Sequence, residues 1–408
     1  MDADPKTSPM KPVFKGNFTQ QEPIPEAGIA AALDVLRGGR LHRYNGAEGE
    51  AGEVALLEEE FAAFTGARYA LAVASGGYAM SCALRALGVG PGDRVLSNGF
   101  TLAPVPGAIA SVGAEPVFVE VTEDLTIDLD HLARLVGACG ASVLLLSHMR
   151  GHVCDMDRLL AICDAAGVRV VEDCAHTMGA AWNGLPSGRH GVMAAYSTQT
   201  YKHMNSGEGG FVTSDDPALM ARAIMLSGSY MLYARHRAAP PPDAFEQVKW
   251  VTPNVSGRMD NLRAAILRPQ LADLPRQVDR WNALYRTVEQ GLRNTPGLKI
   301  IERREGESIV GSSIQFLLPA FSEPQITTVL EGCAARGVEL KWFGCAEPVA
   351  FTSRYDSWRY TDAQSLPETD RILAGLIDMR LPLTFSVGDA GLIGRIIREE
   401  VSAVALDG

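Results

Sequence analysis

The sequence predicts an α/β protein in which a mostly parallel sheet lies between helices, followed by a small C-terminal α+β domain. From residue 66 to about 215, short β-rich runs alternate with helical patterns, and strands separated by helices of this length pair in parallel. After residue 292 the pattern changes to strand, helix and strand. The length of 408 residues, 47% of them hydrophobic and 21% charged, suits one large and one smaller globular domain.

Each element of the large domain has its own signal. Runs rich in β-branched and apolar residues predict strands, and apolar residues spaced three and four apart predict helices. The predicted strands are YALAV (69–73), RVLSN (94–98), PVFVE (116–120), VLLLSH (143–148), VRVVED (168–173), MAAYST (193–198) and GFVTSDD (210–216). The last of these is expected to close the sheet. Helices are expected at 77–88, near 104–112, from 128, and at 155–167.

The rest of the chain divides into an arm, an excursion and a second domain. Residues 1–26 include a polar, Pro-rich start without an apolar core, which predicts a flexible arm rather than a signal peptide. Residues 226–256 are rich in aromatic, basic and Pro residues and predict a long, functional surface excursion near the site. A long helix at 258–292, interrupted by two prolines, then leads into the small domain. We therefore place the large domain at 27–256 and the connecting helix and small domain at 257–408.

Bulk composition excludes several functional classes. A net charge of −11 and the lack of a Lys/Arg block with interleaved aromatic residues argue against nucleic-acid binding. No apolar run reaches membrane-spanning length. The seven cysteines form no CxxC pair, which indicates reduced thiols and the cytoplasm. His148 and His152 are four residues apart, but without an evident third ligand we expect no metal site.

Two motifs that follow predicted strands have the character of a ligand site. In ASGGYAM (74–80), Ser75, Gly76 and Gly77 would direct backbone N–H groups at the start of a helix toward a phosphate. On its own, this pattern is as common in ordinary turns as in phosphate sites. In VVEDCAHTMGA, Asp173 ends a strand, and open parallel sheets bind ligands at the carboxyl ends of their strands. Alone, such an Asp is more often a helix cap.

A third and a fourth motif lie in STQTYKHMNSGEGG (197–210). Ser197 precedes Lys202 on one short loop, and the glycines after them allow the chain to approach a bound ring closely. Together, the four motifs meet the requirements of pyridoxal 5′-phosphate. Its phosphate needs a helix N-terminus and hydroxyl groups, its ring nitrogen a carboxylate, and its aldehyde an uncharged lysine. The sequence therefore predicts this cofactor.

The same motifs, in the same order, resemble the DegT/DnrJ/EryC1/StrS family of sugar aminotransferases, which have the PLP fold type I of aspartate aminotransferase. The similarity runs from about residue 27 to 400. It implies that Lys202 forms the Schiff base, Asp173 holds the pyridinium, Ser197 binds phosphate, and His176 lies near the phenolic oxygen. It also implies a homodimer with shared active sites, in which RMDNLRAAI reaches the partner subunit's cofactor. The predicted interface candidates are the helix from 258 and the N-terminal arm.

Several positions depart from the family pattern. Leu102 stands where an aromatic residue usually covers the cofactor ring. The position of the family's partner-subunit Asn is Ser256, with Asn254 two residues earlier, and either residue is a candidate phosphate ligand. HMRG replaces the usual HLYG, so that Arg150 replaces a tyrosine, and KWFGCAEP replaces a His-Tyr-Pro stretch.

The changed positions suggest an unusual substrate. An arginine binds a carboxylate or phosphate through two hydrogen bonds, which a tyrosine cannot do. We hypothesise that Arg150 contacts an anionic group of the substrate or amino donor, and the alternative is that it pairs with a nearby carboxylate such as Asp155. His148 and Tyr201 are further candidate substrate residues.

The resemblance implies transfer of an amino group from glutamate or glutamine to a keto group of a sugar, cyclitol or related small molecule. The presence of Lys202 argues against the family's dehydratase branch, in which histidine replaces the lysine. A PLP-dependent lyase on the same scaffold and a PLP-binding regulatory protein remain as alternatives. A nicotinamide oxidoreductase is poorly supported, because no GxGxxG motif opens a helix.

Overall fold

The computed structural model describes residues 11–46 and 49–407. The strands are β1 (Tyr69–Val73), β2 (Arg94–Asn98), β3 (Glu115–Val119), β4 (Val143–Ser147), β5 (Arg169–Asp173), β6 (Ala181–Trp182), β7 (Leu185–Pro186), β8 (Met193–Ser197), β9 (Gly210–Ser214), β10 (Lys299–Ile300), β11 (Glu307–Ser308), β12 (Ser313–Leu317), β13 (Lys341–Trp342) and β14 (Leu376–Arg380). The α-helices are α1 (Glu26–Gly38), α2 (Glu53–Thr65), α3 (Gly76–Ala86), α4 (Pro104–Ser111), α5 (Leu129–Leu135), α6 (Met156–Ala165), α7 (Pro217–Ser227), α8 (Asn261–Leu292), α9 (Glu323–Ala335), α10 (Pro367–Ala374) and α11 (Val387–Asp407). The predicted elements are present, with ends that differ by one to a few residues.

The largest sheet of the described chain has the strand order β1-β9-β8-β5-β4-β2-β3. Neighbouring strands are parallel except around β9, which is antiparallel to both β1 and β8. Alternate residues of each strand face opposite sides, so that Leu71 packs against α3, α4 and α7, whereas Ala70 packs against α2 and α8. The mostly parallel α/β sandwich predicted from the alternating pattern is confirmed. Its strands β2, β4, β5 and β8 have their carboxyl ends at one edge.

The small sheet is antiparallel, in the order β10-β12-β14-β13. On β14, Ile377 and Met379 face a core shared with α8, α9 and α11. The residues between and after them, Asp378 and Arg380, face the other side of the sheet. Lys341 of β13 lies opposite Asp378 in the strand register. The sequence boundary between large and small domain at 256/257 remains a proposal.

The predicted flexible arm is wrong for residues 11–25. Phe14 and Phe18 are only 3% and 4% exposed, and both rings contact Phe385 edge-on in the core of the small sheet. The backbone N–H of Phe14 donates to the carbonyl of Arg336 at 2.9 Å. Two phenylalanines in an otherwise polar run therefore anchor this segment. Residues 1–10 of the predicted arm lie outside the described residues.

The helix α8 continues through Pro269 and Pro275, and the Asp260 side chain caps its start by accepting from the N–H of Arg263. It packs against α1, α2 and α11 of its own chain. Its apolar face is therefore used internally, so α8 is a poorer interface candidate than the sequence indicated. Among the described helices, none combines the length and apolarity that a bilayer crossing requires.

One ion cluster is sealed inside the large domain. Arg43 donates two hydrogen bonds of 2.8 Å to the carboxylate of Glu58, and His236 Nδ1 lies 3.1 Å from the same carboxylate. The backbone N–H of Ala72 on β1 also donates to Glu58. Burial alone would raise the pKa of Glu58, but Arg43 and His236 outweigh it and lower this pKa to about 2. We call Arg43, Glu58 and His236 the closed cluster.

Candidate active site

A cavity of about 430 Å³ opens at the carboxyl-terminal edge of the large sheet, where the small sheet faces it. This is where open parallel sheets bind ligands. Ten of the predicted site residues line this cavity: Ser75, Gly76, Gly77, Leu102, Arg150, Asp173, His176, Ser197, Tyr201 and Lys202. The structure thus brings together motifs that are more than 120 positions apart in the sequence.

The first residues of α3 form a narrow cradle against β8. Ser75 is the N-cap, and its hydroxyl accepts from the N–H of Tyr78 at 3.1 Å. A Cβ on Gly76 would lie 2.7 Å from Cβ of Ser197, and one on Gly210 would lie 2.5 Å from the Tyr196 carbonyl oxygen. Only glycine therefore lets β8, β9 and the helix N-terminus pack this closely. The free N–H groups at this end suit a phosphate.

Asp173 ends β5 at the floor of the cavity and is 6% exposed. The Ser147 hydroxyl donates to one carboxylate oxygen and the N–H of Ala175 to the other, both at 3.1 Å. Burial raises the pKa of Asp173, and these two donors act in the opposite direction. The Thr101 hydroxyl in turn donates to the Ser147 hydroxyl at 2.8 Å. Sequence reasoning missed Ser147 and Thr101, although a serine that ends the apolar run VLLLS was a usable signal.

The Lys202 amine lies 2.7 Å from Nε2 of His176. Burial and the charges of Arg150 and Arg380 together lower the pKa of Lys202 to about 7, against the opposing effect of Asp173. Burial and Lys202 also hold the pKa of His176 well below its usual value. The backbone N–H of Arg150 donates to Nδ1 of His176, which leaves the proton of the neutral ring on Nε2, facing the amine. Lys202 can therefore hold or release a proton near neutral pH, while His176 stays neutral and donates its Nε2–H to the uncharged amine.

Arg150 pairs with a residue that the sequence did not indicate. Its Nη2 lies 2.8 Å from Oδ2 of Asp378 on β14. Asp155 instead caps α6 by accepting from the N–H of Arg158, so the predicted pairing with a carboxylate is present, but the partner is Asp378 and not Asp155. Arg380, also on β14, lines the cavity and places its guanidinium 3.8 Å from the centre of the Tyr201 ring. Sequence reasoning missed Asp378 and Arg380.

The assignment of His148 to the substrate is wrong. Its ring is 1% exposed, does not line the cavity, and places Nε2 3.0 Å from Glu172 Oε2. Glu172 also accepts the N–H groups of Gly188, His190 and Gly191. The atoms of His148, Glu172 and Cys174 lie within 4.8 Å of one another. Because Glu172 already accepts four donors, we interpret this group as a support for the 188–191 loop.

Asn254 and Ser256 do not line the cavity of their own chain. The side-chain oxygen of Asn254 accepts from both the N–H and the hydroxyl of Ser256, and Ser256 has a left-handed φ of 54°. Both residues are exposed. Their predicted contact with a partner subunit's cofactor stays a prediction.

Comparison with known proteins gives a consistent picture. The model of the DegT/DnrJ/EryC1/StrS aminotransferase family matches residues 25–393. The spore coat polysaccharide biosynthesis protein SpsC of Bacillus subtilis (strain 168) is 33% identical over 60% of this chain and 63% of its own length. The dTDP-3-amino-3,4,6-trideoxy-alpha-D-glucose transaminase of Streptomyces venezuelae is 34% identical over 59% and 61%. The chain thus matches about three fifths of the length of these relatives.

A solved structure extends the similarity to nearly the whole chain. The crystal structure of S. venezuelae DesV in complex with a ketimine intermediate superimposes with a TM-score of 0.76 at 28% identity. The superposition covers 91% of this chain and 93% of DesV.

Proposed function

The chain belongs to the DegT/DnrJ/EryC1/StrS aminotransferase family, and from that premise we propose that it is a PLP-dependent aminotransferase. It takes an amino group from an amino acid, glutamate or glutamine, and gives it to a keto group of a sugar, cyclitol or related small molecule. The observation that carries this proposal is the Lys202 amine, which faces a cavity that also holds Asp173 and whose pKa is about 7. A lysine of ordinary pKa would be almost fully charged at neutral pH and unable to attack an aldehyde.

The residues of the cavity fit pyridoxal 5′-phosphate. The N-terminus of α3 and the Ser197 hydroxyl supply donors for a phosphate, in a cradle too narrow for a Cβ at Gly76. The carboxylate of Asp173, held by two hydrogen bonds, suits a protonated ring nitrogen. Leu102 offers aliphatic contact where relatives use an aromatic ring. When bound, the cofactor supplies an electron sink for the charge that develops when a Cα proton is removed.

The chain's own residues then handle the proton. Lys202 is uncharged in about half of the molecules at neutral pH, since its pKa is about 7. His176 orients the amine through the contact at 2.7 Å. The Asp173 carboxylate would hold a proton on the ring nitrogen of the bound cofactor. Arg150 and Arg380 bind the carboxylate of the amino acid.

We also propose that the protein is a homodimer. Apolar side chains are exposed on two segments: Ile29, Leu33 and Leu36 on one face of α1, and Tyr230, Met231, Trp250 and Val251 in the 226–256 excursion. Trp250 and Val251 are 78% and 77% exposed, which is unusual for apolar residues of a monomer. This interface would allow Asn254 and Ser256 to reach a partner's cofactor. Light scattering of the purified protein measures its mass directly.

The seven cysteines are all unpaired, which supports a reducing compartment, and we propose the cytoplasm. A lyase and a regulatory protein are less favoured, because the transaminase of S. venezuelae and DesV are close in sequence and in fold.

The function is tested by incubation of cofactor-loaded protein with the amino donor alone. We expect one equivalent of keto acid per active site and a lasting change of the cofactor spectrum. Lys202→Arg keeps the positive charge but should produce neither signal. Borohydride treatment of the wild type should leave the cofactor attached to the peptide that contains Lys202. Continuous turnover of a single substrate would identify a lyase, and a label on another residue would refute the assignment of Lys202.

A further inference from the structure

The small sheet presents charged side chains to the cavity. Along β14, Ile377 and Met379 are buried in the core, while Asp378 and Arg380 project from the opposite face. Arg380 lines the cavity, and Lys341 lies opposite Asp378 on β13. The charged face of β14 therefore forms one wall of the site, where Arg380 lines the cavity and Asp378 is fully buried.

Arg150 meets this wall from the large sheet. It follows β4 in a tight turn with a left-handed φ of 55°, a conformation that is uncommon for residues other than glycine. Its side chain is 95% buried, since only 5% is exposed, and it lines the same cavity. Nε and Nη2 make no hydrogen bond to any part of the chain that the structure describes, although Nη2 lies 2.8 Å from Asp378. A strained turn that holds a buried guanidinium with unpartnered nitrogen atoms indicates a ligand-binding site.

The cations that border the cavity outnumber their ion-pair partners. Arg150, Arg380 and Lys341 lie near Asp378, which also accepts a hydrogen bond from Gln315, and Glu339 acts on Lys341 as well. Asp173 and Glu208 line the same cavity, but among the described residues neither forms an ion pair with Arg150 or Arg380. Among residues 11–46 and 49–407, no carboxylate lies within ion-pair distance of Arg380. Burial and then the charge of Arg380 lower the pKa of Lys341 to about 8. Burial and Arg150 lower the pKa of Arg380. The cations repel one another, and a bound anion would relieve that repulsion.

Aromatic rings hold Arg380 in place. Its guanidinium lies 3.8 Å from the ring centre of Tyr201 and 5.3 Å from that of Phe351. Stacking of this kind fixes the plane of the guanidinium and leaves its N–H edge free for an anion.

We propose that Arg150 and Arg380 form a subsite for a carboxylate or phosphate carried by the amino acceptor, so that this enzyme aminates a small anionic ketone. The inference rests on the proposed function and deepens it. In a transaminase, donor and acceptor occupy the same cavity in turn. A neutral acceptor would leave the half-buried guanidinium of Arg380 without an ion-pair partner and the buried Nε of Arg150 without a hydrogen bond at the stage when the donor has left, whereas an anionic acceptor supplies both.

The test measures binding to the form of the protein that meets the acceptor. The purified protein is loaded with pyridoxamine 5′-phosphate, and its affinity for benzoate, phenyl phosphate and neutral benzamide is measured by titration calorimetry. None of these probes carries a ketone, so no turnover takes place. We expect one of the two anions to bind roughly tenfold or more tightly than benzamide, as expected for charge-assisted hydrogen bonds. The tighter anion identifies the group as a carboxylate or a phosphate.

Variants connect the preference to the two arginines. Arg380→Met should abolish the preference for the anion, and Arg380→Lys should retain only part of it, because lysine keeps the charge but not the planar fork. Arg150→Met is combined with Asp378→Asn so that no buried carboxylate is left unpaired. The control Arg293→Met alters an arginine at the end of α8 that pairs with Glu289. It should bind like the wild type, and melting temperatures verify that each variant is folded.

Three results would overturn the proposal. The first is equal affinity for the anions and for benzamide. The second is a preference for the anion that survives loss of both arginines. The third is a preference for the anion that is present only when the cofactor is in its aldehyde form, because this would mark a donor site. Failure of the proposed aminotransferase function is detected by a different experiment. A protein that yields no keto acid from the donor alone is not a transaminase, whatever the probes show.

Discussion

Two buried arginine–carboxylate pairs of this protein have the same N–O distance but different roles. The closed cluster joins Arg43 to Glu58, and the pair at the cavity joins Arg150 to Asp378, each with a shortest contact of 2.8 Å. Both arginines are nearly inaccessible, and both have an Nε atom without a hydrogen-bond partner among the described residues. Neither burial, nor distance, nor a single unpaired atom distinguishes them.

The difference lies in the balance of charge and in access to the cavity. Both oxygens of Glu58 are used, by two bonds from Arg43, by the N–H of Ala72 and by His236. Asp378 lies beside more cations than it can neutralise, and Arg150 and Arg380 line a cavity. An ion pair whose charges cancel and which is closed to solvent supports the fold. An ion pair that has excess positive charge and borders a cavity can bind an anionic ligand.

The largest expected effect comes from removing the arginine of each pair. Arg43→Met strands a buried carboxylate and should cost about 3–5 kcal/mol of unfolding free energy. Arg150→Met should cost about 1–2 kcal/mol, because Asp378 keeps its hydrogen bond from Gln315 and its two other cationic neighbours. Urea unfolding measures both. Arg237→Met, which removes an exposed pair with Glu59, is the control and should leave stability essentially unchanged. Equal costs for Arg43→Met and Arg150→Met would show that Arg150 is structural.

A smaller effect tests the influence of the unbalanced charges on Lys202. Arg380 disfavours the charged amine, so Arg380→Met should raise the pKa of Lys202 above its present value of about 7. The neutral fraction at pH 7 then falls, and capture of pyridoxal 5′-phosphate by the apoprotein should slow by up to roughly tenfold, with recovery at higher pH. The absorbance of the bound cofactor gives the rate at each pH. In Arg293→Met, the pH at which the capture rate is half-maximal should equal that of the wild type. The same unchanged pH in Arg380→Met would show that the charge of Arg380 does not influence Lys202.

The smallest effect concerns the hydroxyl that holds Asp173. Ser147→Ala removes one hydrogen bond to the carboxylate, which favours its protonated form and weakens its hold on the cofactor ring. We expect about fivefold weaker cofactor binding, which corresponds to about 1 kcal/mol for one hydrogen bond. Equilibrium dialysis measures this loss, which should grow as pH falls. Thr287→Ala, which removes a side-chain bond within α8, is the matched control. Unchanged affinity in Ser147→Ala would mean that Ala175 alone positions Asp173.

The sequence was most informative where a local motif coincides with the edge of the sheet. Lys202, Asp173, Ser197 and the glycine turn each follow a strand whose run of apolar residues is evident, and parallel strands bring their ends together. His148 was misjudged because it follows β4 directly, and proximity to a strand end in sequence does not say on which side of the sheet a ring will pack. Phe14 and Phe18 were missed because two apolar residues in a polar run carry no periodic signal.

The wall formed by β14 was not predictable from local patterns. Arg380 lies 178 residues after Lys202 in the chain, and only the packing of the small sheet against the large one brings them to the same cavity. The alternation in LIDMR, with apolar Ile377 and Met379 and charged Asp378 and Arg380, was the available signal. It indicates that one face of the strand is polar but not what that face meets.

The two-sided character of β14 offers a practical route to enzymes with altered selectivity. Leu376, Ile377 and Met379 pack in hydrophobic cores and Asp378 is fully buried, so the partly exposed positions 341 and 380 form a cassette that a directed-evolution library can randomise with little penalty to expression. Recoding these two positions should exchange one class of starting material for another, and changes at 380 should also shift the pKa of Lys202.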